Sequence, residues 1–197
     1  MVGCGGKTSL IQRLALENAE AGVLVCPTTR LAAAEMPEHT GITYMGRLRG
    51  DKLHAVSLEE IRERSLSFPL TLLEADGSKG LPLKGWAAFE PVVPAYTTLT
   101  IGVVSVQATG LIANSKNVHR LQLFLKQTGM KAGETVSEAD AARMIWYCMH
   151  HHGKGRQAIW INQADHDGWS QRALRIADNL DDFPGRVLIG SLKEEQA

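Results

Sequence analysis

Short apolar runs alternate with amphipathic helical stretches along the whole chain, and this alternation restricts the fold more than any other feature. Val23 to Cys26 is an apolar run closed by Pro27. Phe68 to Leu73 is a second, ending in Glu74 and Asp76, and Thr98 to Val106 (TLTIGVVSV) is a third, rich in β-branched residues. Ala158 to Ile161 and Val187 to Ile189 complete the set. Between them lie helical patterns. Lys7 to Ala21 places Leu10, Ile11, Leu14 and Ala15 on one face before a stop at Gly22, and Ser57 to Arg64 carries its charges on a solvated face. Ser137 to Asp140 has the S-x-x-D form of a capping box before a helix carrying Ala142, Ile145, Trp146 and Met149; Ala173, Ile176, Ala177 and Leu180 mark another helix. Strands separated by helices pair in parallel, so the expected fold is α/β with a mostly parallel central sheet covered on both faces. The expected organisation is a single domain over 1–197, with 31–56 and 107–136 as candidate insertions because they break the pattern.

Composition narrows the function classes. The 197 residues hold 21 Lys+Arg against 21 Asp+Glu, so no basic excess is available to neutralise a nucleic-acid backbone, and no nucleic-acid partner is expected. With 44% hydrophobic and 21% charged residues the chain can bury enough surface to fold. No apolar stretch reaches the roughly 18 to 20 residues that cross a bilayer, and no signal-peptide pattern opens the chain, so a cytoplasmic protein without a membrane partner is expected. Cys4, Cys26 and Cys148 are too widely spaced for a zinc site and odd in number for a disulfide framework.

The first nine residues, MVGCGGKTS, carry the sharpest chemical signal. Gly5-Gly6-Lys7-Thr8 matches the end of a phosphate-binding P-loop, in which small residues let successive backbone N–H groups turn toward an anion and a helix N-terminus faces the same phosphates. Lys7 would reach the β- and γ-phosphates, and the Thr8 hydroxyl would ligate Mg²⁺. Gly3, Gly5, Gly6, Lys7, Thr8 and Ser9 are therefore the candidate nucleotide-holding residues. Strict G-x-x-x-x-G-K-[ST] spacing puts a glycine where this chain has Met1, and the leading strand is reduced to Met1 and Val2. Either the start lies upstream or the leading strand is very short. The competing reading is a glycine-rich turn before an ordinary helix.

Ligands of open α/β sheets gather at the carboxyl ends of strands, so the residues after each run supply the other candidates. Thr28, Thr29 and Arg30 follow the first. After the second, Asp76 is the candidate metal ligand beside Thr8, and Glu74 orients a water or helps the metal; a solvated Asp-Gly turn is the alternative. Asn162-Gln-Ala-Asp165 is similar to the N-K-x-D guanine-recognition motif, with Gln163 in place of the lysine; a helix-capping turn is the alternative. Three adjacent histidines, His150 to His152, diverge on a helix and do not suggest a shared metal.

Taken together, VGCGGKTS at 2–9, CPTTR at 26–30, LLEADGSKGLPLKGW at 72–86, EPVVP at 90–94, NVHR at 117–120 and INQAD at 161–165 resemble the YqeC family, assigned as accessory proteins of selenium-dependent molybdenum hydroxylases. The resemblance implies a three-layer P-loop NTPase-like fold with a truncated first strand. It also implies a role in selenium cofactor biosynthesis or hydroxylase maturation. Mg²⁺ with ATP or GTP is the expected cofactor, and a molybdenum hydroxylase or its cofactor the expected partner. Homodimerisation is an analogy at the level of the fold. In the matching segments Ser78, Lys79, Lys84, Glu90, His119 and Arg120 are candidates to meet an anionic substrate, against the reading that they are ordinary loop charges and salt bridges. Three functions follow: a nucleotide-hydrolysing accessory protein, a small-molecule kinase or nucleotidyltransferase, and a non-catalytic binder of a phosphorylated molybdopterin-type cofactor.

Overall fold

A computed structural model describes residues 1–32 and 38–192, the side chains of 30–32 excepted. In chain order its elements are β1 (Val2–Gly3), α1 (Lys7–Glu17), β2 (Val23–Pro27), β3 (Arg30–Ala32), β4 (Ile42–Tyr44), β5 (Arg47–Arg49), β6 (Lys52–His54), α2 (Leu58–Ser65) and β7 (Leu70–Glu74). They continue with β8 (Leu83–Lys84), β9 (Leu99–Ser105), β10 (Val118–His119), α3 (Leu121–Thr128), α4 (Glu138–His152), β11 (Arg156–Asn162), α5 (Asp167–Asp178) and β12 (Arg186–Ile189). The architecture is mixed α/β, with mostly parallel strand pairing. The described residues group into two compact units: Met1 with Lys7–Gly77, and Val2–Gly6 with Ser78 onward.

The first unit is built on the parallel sheet β4-β2-β7. All five residues of β2 are buried, because a strand covered on both faces leaves no side for polar residues. Strand alternation then divides them. Val23 and Val25 pack with Ile11 and Ala15 of α1, while Leu24 and Cys26 pack with Ile61 of α2, giving a helix, a sheet and a helix in layers. Burial pushes the Cys26 thiol up to about 12, so it stays protonated and behaves as a core residue. Helix α1 ends at Glu17, earlier than the Gly22 stop suggests; a 3₁₀ turn over Ala19–Ala21 follows, and Gly22 at φ 89° then turns the chain into β2. Ser57 caps α2, accepting from the Glu60 backbone at 3.1 Å while Glu60 accepts from the Ser57 backbone at 2.9 Å. Residues 31–56, which break the sequence pattern, supply β4 to the edge of the sheet and an antiparallel layer, β3-β6-β5. Met1 lies beside β7, its carbonyl accepting from the Ala75 backbone at 2.9 Å.

The second unit centres on the parallel sheet β1-β9-β11-β12. Its longest pairing joins β9 and β11 over seven residues each, in the register Gly102↔Ile159. Helix α4 lies close against β9 because Gly102 has no side chain: a Cβ there would sit 2.7 Å from Met149 Sδ and 3.0 Å from Ile145 Cδ1. The capping box read from Ser137 and Asp140 opens α4, with Asp140 N to Ser137 Oγ at 3.2 Å and Ser137 N to Asp140 Oδ2 at 3.0 Å. Residues 107–136 contain α3 and the parallel partner β10 of β8, together with an isolated antiparallel bridge between Ile112 and Thr135.

Candidate functional site

In the first unit α1 begins at Lys7, and β7 ends at Glu74. Lys7 and Asp76 are 5% and 0% exposed and form an ion pair, Nζ to Oδ1, at 3.5 Å. Thr8 donates its hydroxyl to Glu74 Oε2 at 2.9 Å. Two buried carboxylates at the end of one strand thus meet the lysine and the hydroxyl that open one helix. Thr8 and Asp76 are the metal-ligand candidates of the sequence, with Glu74 orienting a water or helping the metal; in the folded chain Thr8 bonds Glu74 and Asp76 pairs with Lys7. The place of each acid goes with this: Glu74 ends β7, and Asp76 lies two residues further on, beyond the end of the strand.

Thr28 belongs to the same region, its backbone N–H donating to the Glu74 carbonyl at 2.9 Å, so its hydroxyl is buried at the β2 end. The Thr29 hydroxyl is buried with no hydrogen-bond partner among the described residues. Arg30 lies in β3, but its side chain falls outside the described residues. Ser9 is exposed on the first turn of α1.

In the second unit the glycine loop is held by β9 and β11. Gly3, Gly5 and Gly6 have φ of 101°, 92° and 117°, a region that side chains disfavour. A Cβ on Gly6 would lie 2.2 Å from Asn162 Nδ2, and one on Gly5 would lie 2.4 Å from Ser105 Cβ. Asn162, at the end of β11, donates its amide to the Gly5 carbonyl at 2.8 Å. Asn162 therefore supports the loop. Ser105 was not singled out from the sequence, yet it ends β9 beneath Gly5, accepts from the Gln107 backbone at 3.0 Å and hydrogen-bonds Gln163. The rule that residues after strands matter, applied to TLTIGVVS, would have found it. Asp165 is half-buried and accepts a hydrogen bond from the Ser191 hydroxyl. Cys4 is fully buried, its Sγ 3.1 Å from the Pro82 carbonyl.

The remaining candidates form a separate cluster in the second unit. Lys84, fully buried on β8, pairs with Glu90 Oε1 at 2.6 Å, and the Arg120 guanidinium donates to the same oxygen. His119 on β10 lies opposite Lys84 in the strand register. Ser78 closes a turn through its carbonyl, which accepts from Leu81 N at 3.1 Å, and Lys79 next to it is exposed. His119 closes a strand, and Arg120 is the left-handed residue, φ 58°, that precedes α3. Desolvation, followed by the charges of Arg120, Lys84 and Lys79, holds the His119 imidazole below its ordinary value, against an opposing pull from Glu90. Among the described residues no group of three or more His, Cys, Asp or Glu is placed to hold a metal by itself, the His150 to His152 run included.

A family model described as YqeC protein matches residues 1–122, more than half of the chain. The chain belongs to the YqeC family. It is also similar to the uncharacterized protein YqeC of Escherichia coli (strain K12), 28% identical over 171 residues that cover 74% of this chain and 66% of the relative, just under two thirds of its length. No solved structure matches. The part of the chain that matches the YqeC model contains Lys7, Thr8, Glu74 and Asp76 as well as Lys84, Glu90, His119 and Arg120; Asn162 and Asp165 lie outside it. No helix among the described residues is long and apolar enough to cross a membrane.

Proposed function

We propose that this YqeC-family protein binds a nucleoside triphosphate, ATP or GTP, together with Mg²⁺, through residues 3–8, and hydrolyses it in a P-loop NTPase-like manner. The observation that carries the reading is the double pairing of Lys7 with Asp76 and Thr8 with Glu74 in a buried setting. Burying an ammonium and two carboxylates costs several kcal/mol per ion before their attraction is counted, by roughly the magnitudes known for buried ions, so stability alone gives little reason to keep them. A polyphosphate gives one. Lys7 can exchange the carboxylate for phosphate oxygens, and the glycines that precede it leave the backbone N–H groups open to close approach.

The donor set fits Mg²⁺. Thr8 and Glu74 offer hard oxygen ligands, and Mg²⁺ characteristically takes one or two protein oxygens with the rest from phosphate and water. When bound, it supplies charge neutralisation at the transferring phosphoryl group. Asp76 fixes the Lys7 ammonium before substrate arrives and, once Lys7 has turned to phosphate, accepts a hydrogen bond from the attacking water. Asn162 keeps the loop in its glycine-only conformation. A reaction catalysed by positioning and charge needs this prior order in the loop.

Selenium cofactor biosynthesis, or the maturation of selenium-dependent molybdenum hydroxylases, is the process we assign to this activity. Support comes from the motif resemblance at 72–86 and 90–94. Calorimetry against ATP and GTP with and without Mg²⁺ tests the binding step. Wild type should bind with Mg²⁺, and Lys7→Ala should bind at least about a hundredfold more weakly, the loss of a charge-assisted contact worth roughly 3 kcal/mol. Equal affinity in wild type and Lys7→Ala would remove the phosphate-loop assignment.

A further inference from the structure

Strand β5 is the outer strand of the antiparallel layer β3-β6-β5, paired with β6 on one side and with no strand on the other among the described residues. It turns into β6 through Gly50 and Asp51, and Gly50, at φ 60°, takes the first central position of a two-residue type II′ hairpin. The residues that flank such a turn, Arg49 and Lys52, form a hydrogen-bonded pair, so the next pair, Leu48 and Leu53, is a non-hydrogen-bonded one. Leu48 therefore directs its N–H and C=O away from β6, at the free edge.

Side chains add a second, independent observation. The register puts Arg47, Arg49, Lys52 and His54 on one face of the hairpin and Leu48 and Leu53 on the other. Leu53 is 6% exposed, whereas Leu48 beside it is 64% exposed and lies uncovered. On the basic face Arg47, Arg49 and Lys52 are exposed. Among the described residues neither Arg49 nor Lys52 forms an ion pair, and Arg47 meets Glu60 only at 3.7 Å with both side chains in solvent, a contact that contributes little. Charges on an edge strand ordinarily keep it from pairing. Here they exclude a second copy, because two β5 strands paired about Leu48 would set Arg47 against Arg49 twice, but they favour a strand that carries acids.

We propose that the free edge of β5 docks an extended segment of a partner protein in which an apolar residue lies between two acidic ones. The segment joins the layer as an antiparallel strand, continuing its pattern. Its central residue exchanges two backbone hydrogen bonds with Leu48 and covers that side chain, while its acids face Arg49 and Arg47, with Lys52 behind Arg49. The inference stands apart from the nucleotide reading, since it uses none of residues 3–8, 74 or 76.

The probe is the peptide acetyl-Thr-Glu-Val-Glu-Thr-amide, titrated into the full ¹⁵N-labelled chain and followed by NMR. It should shift the Leu48 amide. Arg49→Gln, at an exposed position, should weaken the response about three- to fivefold, the loss of one cross-strand charge pair. Methylating the valine nitrogen removes a donor and no charge, and should weaken binding about fivefold or more. The isomer acetyl-Thr-Glu-Glu-Val-Thr-amide, which keeps the charge but breaks the alternation, should also bind more weakly. Arg49→Glu should prefer acetyl-Thr-Lys-Val-Glu-Thr-amide, whose lysine stands opposite residue 49 in an antiparallel pair, over acetyl-Thr-Glu-Val-Lys-Thr-amide. An unmoved Leu48 amide, equal responses to the parent and N-methyl peptides or to the two isomers, or the reverse lysine preference would overturn the proposal. So would a Leu48 shift that grows with protein concentration alone, which marks self-pairing, or a stronger shift with single-stranded oligothymidylate, which marks a nucleic-acid surface.

Discussion

Lys7→Met in the ligand-free protein measures how much the buried Lys7–Asp76 ion pair contributes to stability. Asp76 is fully buried and Lys7 is 5% exposed, with 3.5 Å between Nζ and Oδ1. Removing one member of such a pair strands the other charge, typically at about 3–5 kcal/mol. The distance is at the long end for an ion pair and Asp76 has further interactions, so the lower end, about 3 kcal/mol, is expected. Asp76→Asn takes the carboxylate from the lysine instead and should cost a similar amount, since Lys7 too has further interactions. The double variant Lys7→Met/Asp76→Asn buries no net charge, and it should recover about 2 kcal/mol relative to the sum of the single changes. Urea unfolding followed by far-UV circular dichroism, with hydrogen exchange of α1, β2 and β7 amides, reads the affected unit directly. A coupling energy below about 0.5 kcal/mol would refute the buried pair and with it the main support for a poised phosphate site.

Gly6→Ala should destabilise the chain by about 2–4 kcal/mol in thermal or urea melts, because its Cβ meets Asn162 at 2.2 Å at a φ of 117°. Gly80→Ala, with open space around it at φ 73°, should cost no more than about 1–2 kcal/mol and serves as the control. Thr8→Val should reduce nucleotide affinity about tenfold or more in Mg²⁺ but little in EDTA, whereas Thr8→Ser should retain Mg²⁺ dependence; calorimetry distinguishes them. For His119, whose folded pKa lies below the unfolded value of 6.5, the unfolded chain takes up the proton first. Its share of stability is present above 6.5 and is lost as pH falls toward the folded pKa, so His119→Gln should flatten the urea midpoint against pH in that acid window. A slope identical to wild type would show that His119 is not held down.

The alternation of apolar runs and helices was enough to locate β2, α2, β7, β9, α4, β11, α5 and β12 within a few residues, because strands covered on both faces must be apolar throughout and helices must show their period. The two regions that broke the pattern were legible only as exceptions. Strands of two or three residues such as β5, β8 and β10 carry too few positions for a period to register. Helix α1 stopped short of its glycine because Asn18 bonds its side chain back to the Leu14 carbonyl at 2.8 Å and a 3₁₀ turn follows.

The residue types of the candidate site were legible in the same local way. A glycine loop before Lys7 and Thr8, acids after a strand and asparagine after another are each visible within a few positions, since backbone permissiveness and charge are properties of single residues. Which acid meets which partner was not visible. Glu74 belongs to Thr8 and Asp76 to Lys7 because β7 ends between them and α1 begins opposite, a relation between segments 66 residues apart for Thr8 and Glu74. The Lys84–Glu90–Arg120 cluster depended on tertiary structure in the same way: the sequence marked three charges in loops, and only the pairing of β8 with β10 buried one of them and drew the others to a single carboxylate. Sequence alone determined which chemistry is available, because each side chain carries its own. Tertiary structure decided the partners, because burial and contact depend on where distant segments are brought.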